Sequence, residues 1–200
     1  KVGKRDISLL FPDWCPDEEK VMVLSPHDDD ALLGAGYAMA ACQANGGEAY
    51  VCIYCDGSAG YSRIEQKSTI VETRLKESRR AYAKVGIAPQ QVFHLGYPDF
   101  SLVSYIGWKL DSGREGTLRR GVALLRKLGI TRLMIPNGYK EHSDHQATYD
   151  IGRYDGVQAG DPVGVDWGAP SVIKSTIQYS VWGELSPEDA LLHGDDLRIR

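Results

Sequence analysis

The chain has no uninterrupted apolar run near the ~20 residues that a bilayer requires, and no basic-then-apolar signal segment opens it. No membrane partner is expected. Positive charge is not in excess: 23 Lys and Arg against 27 Asp and Glu give a formal charge of -4. That balance argues against a nucleic-acid partner, whose phosphates call for a basic face. Cysteine is scarce, with four residues at 15, 42, 52 and 55. The closest pair, Cys52 and Cys55, lies in a strand-like run where residues three apart point to opposite faces. They read as small core hydrophobes rather than as a dithiol or half a zinc knuckle. Reduced thiols suit a cytoplasmic chain, although it starts at Lys1 rather than Met and a removed leader stays open. Internal repeats and low-complexity tracts are missing too, which sets aside solenoids and linkers.

What is present fits one globular domain over 1–200, with 42% hydrophobic and 25% charged residues. Short β-type runs near 21–25, 48–54, 91–94, 131–135 and 172–180 alternate with helical patterns near 30–45, 65–86, 115–128 and 144–153. Gly46, Gly86 and Gly129 close three of the helices. The alternation predicts an α/β, Rossmann-like three-layer fold, with a mostly parallel central sheet and helices on both faces. The Gly-rich stretch from Gly152 to Gly168 reads as a long loop or flap, and the Asp-, Glu- and Arg-rich end as a surface tail.

Chemistry concentrates in two places. His27-Asp28-Asp29-Asp30 follows the apolar run Val21-Met22-Val23-Leu24, and His142-Ser143-Asp144-His145 follows the fourth strand candidate. In an open parallel sheet both would face the crevice beyond the strand ends. Helix capping accounts for one aspartate or two, but not for three beside a histidine. A divalent cation relieves their mutual repulsion. His27, Asp30 and His145 are a zinc-type ligand set that leaves one coordination position open, the arrangement of a catalytic metal. Asp29 is then expected to project beside the metal. Ser143 and Gln146 have the form of a capping box, which places His142 before the helix and His145 in its first turn. His94 and His193 read as structural or surface histidines.

These residues resemble the PIG-L/LmbE-like zinc-dependent N-acetylglucosaminyl deacetylases. The likeness extends from the two clusters to Asp56-Gly57-Ser58-Ala59-Gly60, to Arg74-Leu75-Lys76-Glu77 with Ala81 and Gly86, and to Leu95-Gly96-Tyr97-Pro98-Asp99, covering about Val21 to Tyr179. Departures are Asp28 in place of the usual proline, Leu32 where an acidic residue often stands, and no counterpart of a C-terminal Lys/Ser-Gln segment. The resemblance implies hydrolysis of the N-acetyl amide of an amino sugar, with Zn2+ held by His27, Asp30 and His145; Fe2+ is an alternative in the cell. It implies that Asp29 takes a proton from the attacking water. His142, as an imidazolium, would then stabilise the oxyanion or protonate the leaving nitrogen, with Tyr139 as a further donor. Asp144 would serve catalysis or orient a histidine. Arg74 and Asp99 fall at sugar-contacting positions, against the plainer reading of Arg74 paired with Glu77.

Competing classes are an iron(II) oxygenase with a two-histidine, one-carboxylate site, a metal-dependent phosphoesterase, and a non-catalytic metal- or sugar-binding module. Alternating strands and helices speak against the first, and the lack of basic residues near the clusters, Lys140 apart, against the second. Trp108, Trp167 and Trp182 could stack on a sugar or fill an interface in a homo-oligomer.

Overall fold

The computed structural model describes residues 7–139 and 141–182. Five strands, β1 (Lys20–Ser25), β2 (Glu48–Cys55), β3 (Val92–Tyr97), β4 (Arg132–Pro136) and β5 (Ser175–Tyr179), form one sheet in the order β3-β2-β1-β4-β5. Every pairing is parallel. The crossovers include α1 (Asp30–Ala44), α2 (Ile70–Lys84), α3 (Thr117–Leu128) and α4 (Ser143–Gly160). The α/β three-layer arrangement predicted from the alternation is the one found.

Strand alternation divides the core in two. Val21, Val23, Val51 and Ile53 face Ala31, Ala35 and Met39 of α1 and Tyr82 of α2. Met22, Leu24, Tyr54, Leu133 and Ile135 face Leu125 of α3 and Ala147 and Ile151 of α4. Because β1 and β4 are buried on both faces, they read as continuous apolar runs rather than as alternating ones. The expected helix ends hold, with Gly46, Gly86 and Gly129 at φ of 77°, 81° and 65°. Among the described residues no helix is long and apolar enough to cross a membrane.

Two expectations are corrected. Cys52 and Cys55 do not take opposite faces: both join the same core cluster, because the β2–β3 register shifts between Ile53 and Cys55. The stretch 152–168 is not a loop throughout, since α4 continues to Gly160. Its glycines serve packing: a Cβ on Gly152 would lie 2.4 Å from Ile135 Cγ2, and one on Gly156 would lie 3.0 Å from Leu133 Cδ2, so the helix needs both to settle on β4. The segment beyond is pinned as well. Buried Arg126 donates to the carbonyls of Gln158, Ala159, Asp161, Val163, Gly164 and Gly168, capping the end of α4 and holding its successor in place. The expected surface tail and His193 lie outside the described residues.

Strand order reverses between β1 and β4, which leaves a crevice at their carboxyl ends. His27 follows β1 and His142 follows β4, so topology brings the two clusters together.

Candidate metal centre and active site

The turn after β1 is fixed locally. Ser25 Oγ donates to the His27 carbonyl at 2.6 Å and accepts the Ala31 N–H at 3.0 Å. The buried Asp30 opens α1 and folds back, its Oδ2 accepting the His27 N–H at 2.9 Å and lying 3.1 Å from His27 Nδ1. From the β4 side, His145 in the first turn of α4 brings Nε2 to 3.1 Å from the same oxygen. One ligand atom from each of His27, Asp30 and His145 lies within 4.8 Å of the others.

His145 is fully buried, and its Nε2 has no aligned hydrogen-bond partner despite the nearby Asp30 oxygen. An imidazole nitrogen so placed, beside a second imidazole and a carboxylate, suits a divalent cation. Two other groupings, His27 with His142 and Asp144 and His27 with Cys55 and Asp99, have similar spacing. Their carboxylates each accept two backbone N–H groups, against one at Asp30. Asp144 accepts the N–H groups of Phe100 at 2.6 Å and Leu102 at 3.2 Å, and Asp99 those of Gly57 and Ala59, each at 2.9 Å. The set of His27, Asp30 and His145 is the better fit.

Around this set the charges are strongly coupled. Burial opposes a charged His27, but hydrogen bonds to Asp144 and Asp30 prevail and push its pKa up to about 12. Burial works against His145 in the same way, and Asp30 and Glu141 raise it to about 9. Asp30 is the counterpart: burial would raise it, yet the two histidines hold it well below the usual carboxylate range. Three carboxylates therefore orient two imidazoles, and a cation entering here displaces protons.

His142 differs from expectation. It is itself the N-cap of α4, with Nδ1 accepting the Asp144 N–H at 3.1 Å, so the predicted Ser143–Gln146 capping box does not form; Gln146 bonds Asp150 instead. Burial first, then the neighbouring His27, lowers its pKa. With Nδ1 accepting the Asp144 N–H, Nε2 is the ring nitrogen left to donate a hydrogen bond.

Asp29 is exposed at the N-cap of α1 and makes no capping bond, which removes the capping explanation for it. Asp144 sits 3.2 Å from His27 Nε2 and so orients that ring. Asp99 clamps the loop at Gly57–Ala59, and half-exposed Arg74 borders the same loop, 3.5 Å from the Gly60 carbonyl and 3.4 Å from Glu77. His94 bonds Ser78 Oγ at 3.1 Å and lies 3.6 Å from Asp28, a structural role as expected. The Tyr139 N–H bonds the Asn137 side chain at 3.1 Å.

Glu141 and Phe100 were not anticipated as parts of the site. Glu141 Oε2 meets His145 Nδ1 at 2.6 Å, while its Oε1 accepts from Ser180 Oγ at 2.5 Å and from the Val181 and Trp182 N–H groups at 3.0 and 3.3 Å. The spacing of Glu141 and His145, four apart, was the available signal. Phe100 and Trp182 pack on His142 with ring centroids 4.4 and 5.9 Å away. Trp108 and Trp167 instead pair with each other, their centroids 5.4 Å apart.

Comparison with known proteins decides the family. The family model described as GlcNAc-PI de-N-acetylase, PIG-L, matches residues 22–154. The chain belongs to the PIG-L family. That family is described as a de-N-acetylase, a hydrolase by class. Its fold is similar to that of the conserved protein TT1542 from Thermus thermophilus, at TM-score 0.67 and 23% identity over 86% of this chain and 70% of that one. It is similar also to N,N'-diacetylchitobiose deacetylase from Pyrococcus horikoshii, at TM-score 0.67 and 19% identity over 82% and 61% of the two chains. A third likeness is to GalB, the 4-carboxy-2-hydroxymuconate hydratase from Pseudomonas putida, at TM-score 0.63 and 18% identity over 81% and 65%. The chain thus spans less than two thirds of the last two. No curated protein matches it.

Proposed function

We propose that the protein hydrolyses the N-acetyl amide of an N-acetylglucosamine-type amino sugar or conjugate, yielding acetate and the free amine. The observation that supports this reading is the convergence of His27, Asp30 and the buried Nε2 of His145 at the sheet's switch point. His27, Asp30 and His145 would hold zinc, or iron(II) where that metal is the more available. When bound, such an ion supplies a Lewis acid that polarises the amide carbonyl and acidifies water.

The chain's own residues do the remainder. Asp29, exposed and free of capping duty, accepts the proton of the attacking water and can pass it to the leaving nitrogen. His142, anchored through Nδ1, offers Nε2–H to the carbonyl oxygen as negative charge develops there. Asp144 and Glu141 hold His27 and His145 in orientation. Arg74 and Asp99 lie at the loop that would face the sugar hydroxyls. The surroundings are rich in carboxylates, Asp28, Asp29, Asp30, Asp99, Glu141 and Asp144, which suits a neutral amide and opposes a phosphoester dianion.

The test is acetate release from a panel of N-acetylglucosamine conjugates, with a chelated sample and Asp29→Asn alongside. Chelator-sensitive release that falls by about 10²–10⁴-fold in the variant, at unchanged metal content, is expected. Turnover in Asp29→Asn equal to that of the parent protein would remove Asp29 from the mechanism. Silence of the loaded parent across the panel would remove the amino-sugar amide.

A further inference from the structure

Phe100 has φ of 59°, in the left-handed region that bulky side chains seldom adopt. The other non-glycine residues there, Asp13 and Asp17, carry short polar side chains that tolerate it, so Phe100 stands apart among the described residues. The cause is Asp144 at the start of α4, which takes the N–H groups of both Phe100 and Leu102 and pins the turn that follows β3. Burial does not compensate for the strain, because the Phe100 ring is 66% exposed. A glycine would meet the backbone requirement at no steric cost and would forfeit no core packing. What the ring does lies outside the hydrophobic core.

Its surroundings show what that is. The ring stands nearly edge-on to His142, at 4.4 Å and 64°, and follows directly on Asp99. On another side of His142, the 62%-exposed Trp182 lies 5.9 Å away and 5.2 Å from His145. Two solvent-facing aromatics thus flank the histidine that would face the reacting carbonyl. A pyranose has a polar rim and two apolar C–H faces. Asp99 and Arg74 can take the rim while an adjacent aromatic covers a face.

We infer that Phe100 is a specificity-determining residue: its exposed ring is the wall on which the C–H face of the substrate's pyranose rests beside the N-acetyl group. This rests on the deacetylase reading above. The one turn that supplies the carboxylate for the rim, Asp99, also supplies the ring for the face.

The experiment uses the full chain as Phe100→Gly and Phe100→Trp, with the methyl glycoside of N-acetylglucosamine as probe. Saturation-transfer NMR, affinity, melting temperature and deacetylation kinetics are read together. Phe100→Gly is expected to melt no lower than the parent, because the backbone strain is relieved. It should lose saturation transfer to the sugar's C–H protons, weaken affinity about tenfold and raise KM; Phe100→Trp should restore binding. A glycine variant that binds the glycoside as the parent does, or that melts well below it, overturns the inference. So does a parent that deacetylates other amides without binding the glycoside. A parent that binds the glycoside through Phe100 yet releases no acetate upholds the aromatic wall and overturns the deacetylase reading alone.

Discussion

Glu141 is one side chain with two duties, since one oxygen fixes His145 and the other gathers the backbone of Val181 and Trp182. Replacing it with glutamine keeps the shape and removes the charge that makes His145 a good donor. Metal affinity should fall by roughly 10–100-fold, measurable by competition with a chromophoric chelator; an unchanged affinity would show that Glu141 serves only the segment that follows β5. Asp155 on α4 is a different case, buried, with Oδ2 unpartnered, and raised by burial to about 8. Its folded value lies above its unfolded value, so the stability it allows is complete below about pH 4 and declines as pH rises through about 8. Asp155→Asn should therefore raise the melting temperature at pH 8 more than at pH 4. A parallel pH profile for parent and variant would contradict this account.

At the scale of elements, α4 shows where the amino-acid pattern informs and where it misleads. Its start was legible because His142 and His145 bracket a helix N-terminus, but its second half carries Gly152, Gly156 and Gly160, whose local propensity says loop. Tertiary packing overrides that propensity, since Gly152 and Gly156 are the close-approach surface against β4. Gly152→Ala should cost about 1–3 kcal/mol of stability, by urea unfolding, despite the better helix propensity of alanine; a gain would mean that α4 shifts at no cost. The convergence of His27, Asp30 and His145 was legible for a simple reason: strand-to-helix junctions place side chains at fixed offsets. The left-handed Phe100 was not, because it depends on Asp144, a partner distant in the chain, while Glu141 offered only its spacing to His145, its hold on Trp182 being long-range. Capping by His142 was hidden behind the more conventional Ser143.

At the scale of the whole molecule, the amino ends of the strands are tied by a buried cluster. Glu19, just before β1, receives Arg132 through Nε at 3.1 Å and a terminal nitrogen at 2.9 Å, Thr131 Oγ1 at 2.5 Å and Lys174 Nζ at 2.9 Å. Burial would raise its carboxyl, yet these donors bring it down to about 2. A lowered folded value means stability present above the unfolded 4.5 and lost as pH falls toward 2. Glu19→Gln should cost about 3–5 kcal/mol at neutral pH, since Arg132 is left buried without its counter-charge. The gap to the parent should narrow as urea unfolding is repeated at successively lower pH, and a constant gap would deny the charge its role. This cluster lies at the opposite ends of the strands from the histidines. Changes that toughen one pole of the molecule are therefore free to leave the histidine cluster at the other untouched, with little trade between heat tolerance and the chemistry of the crevice.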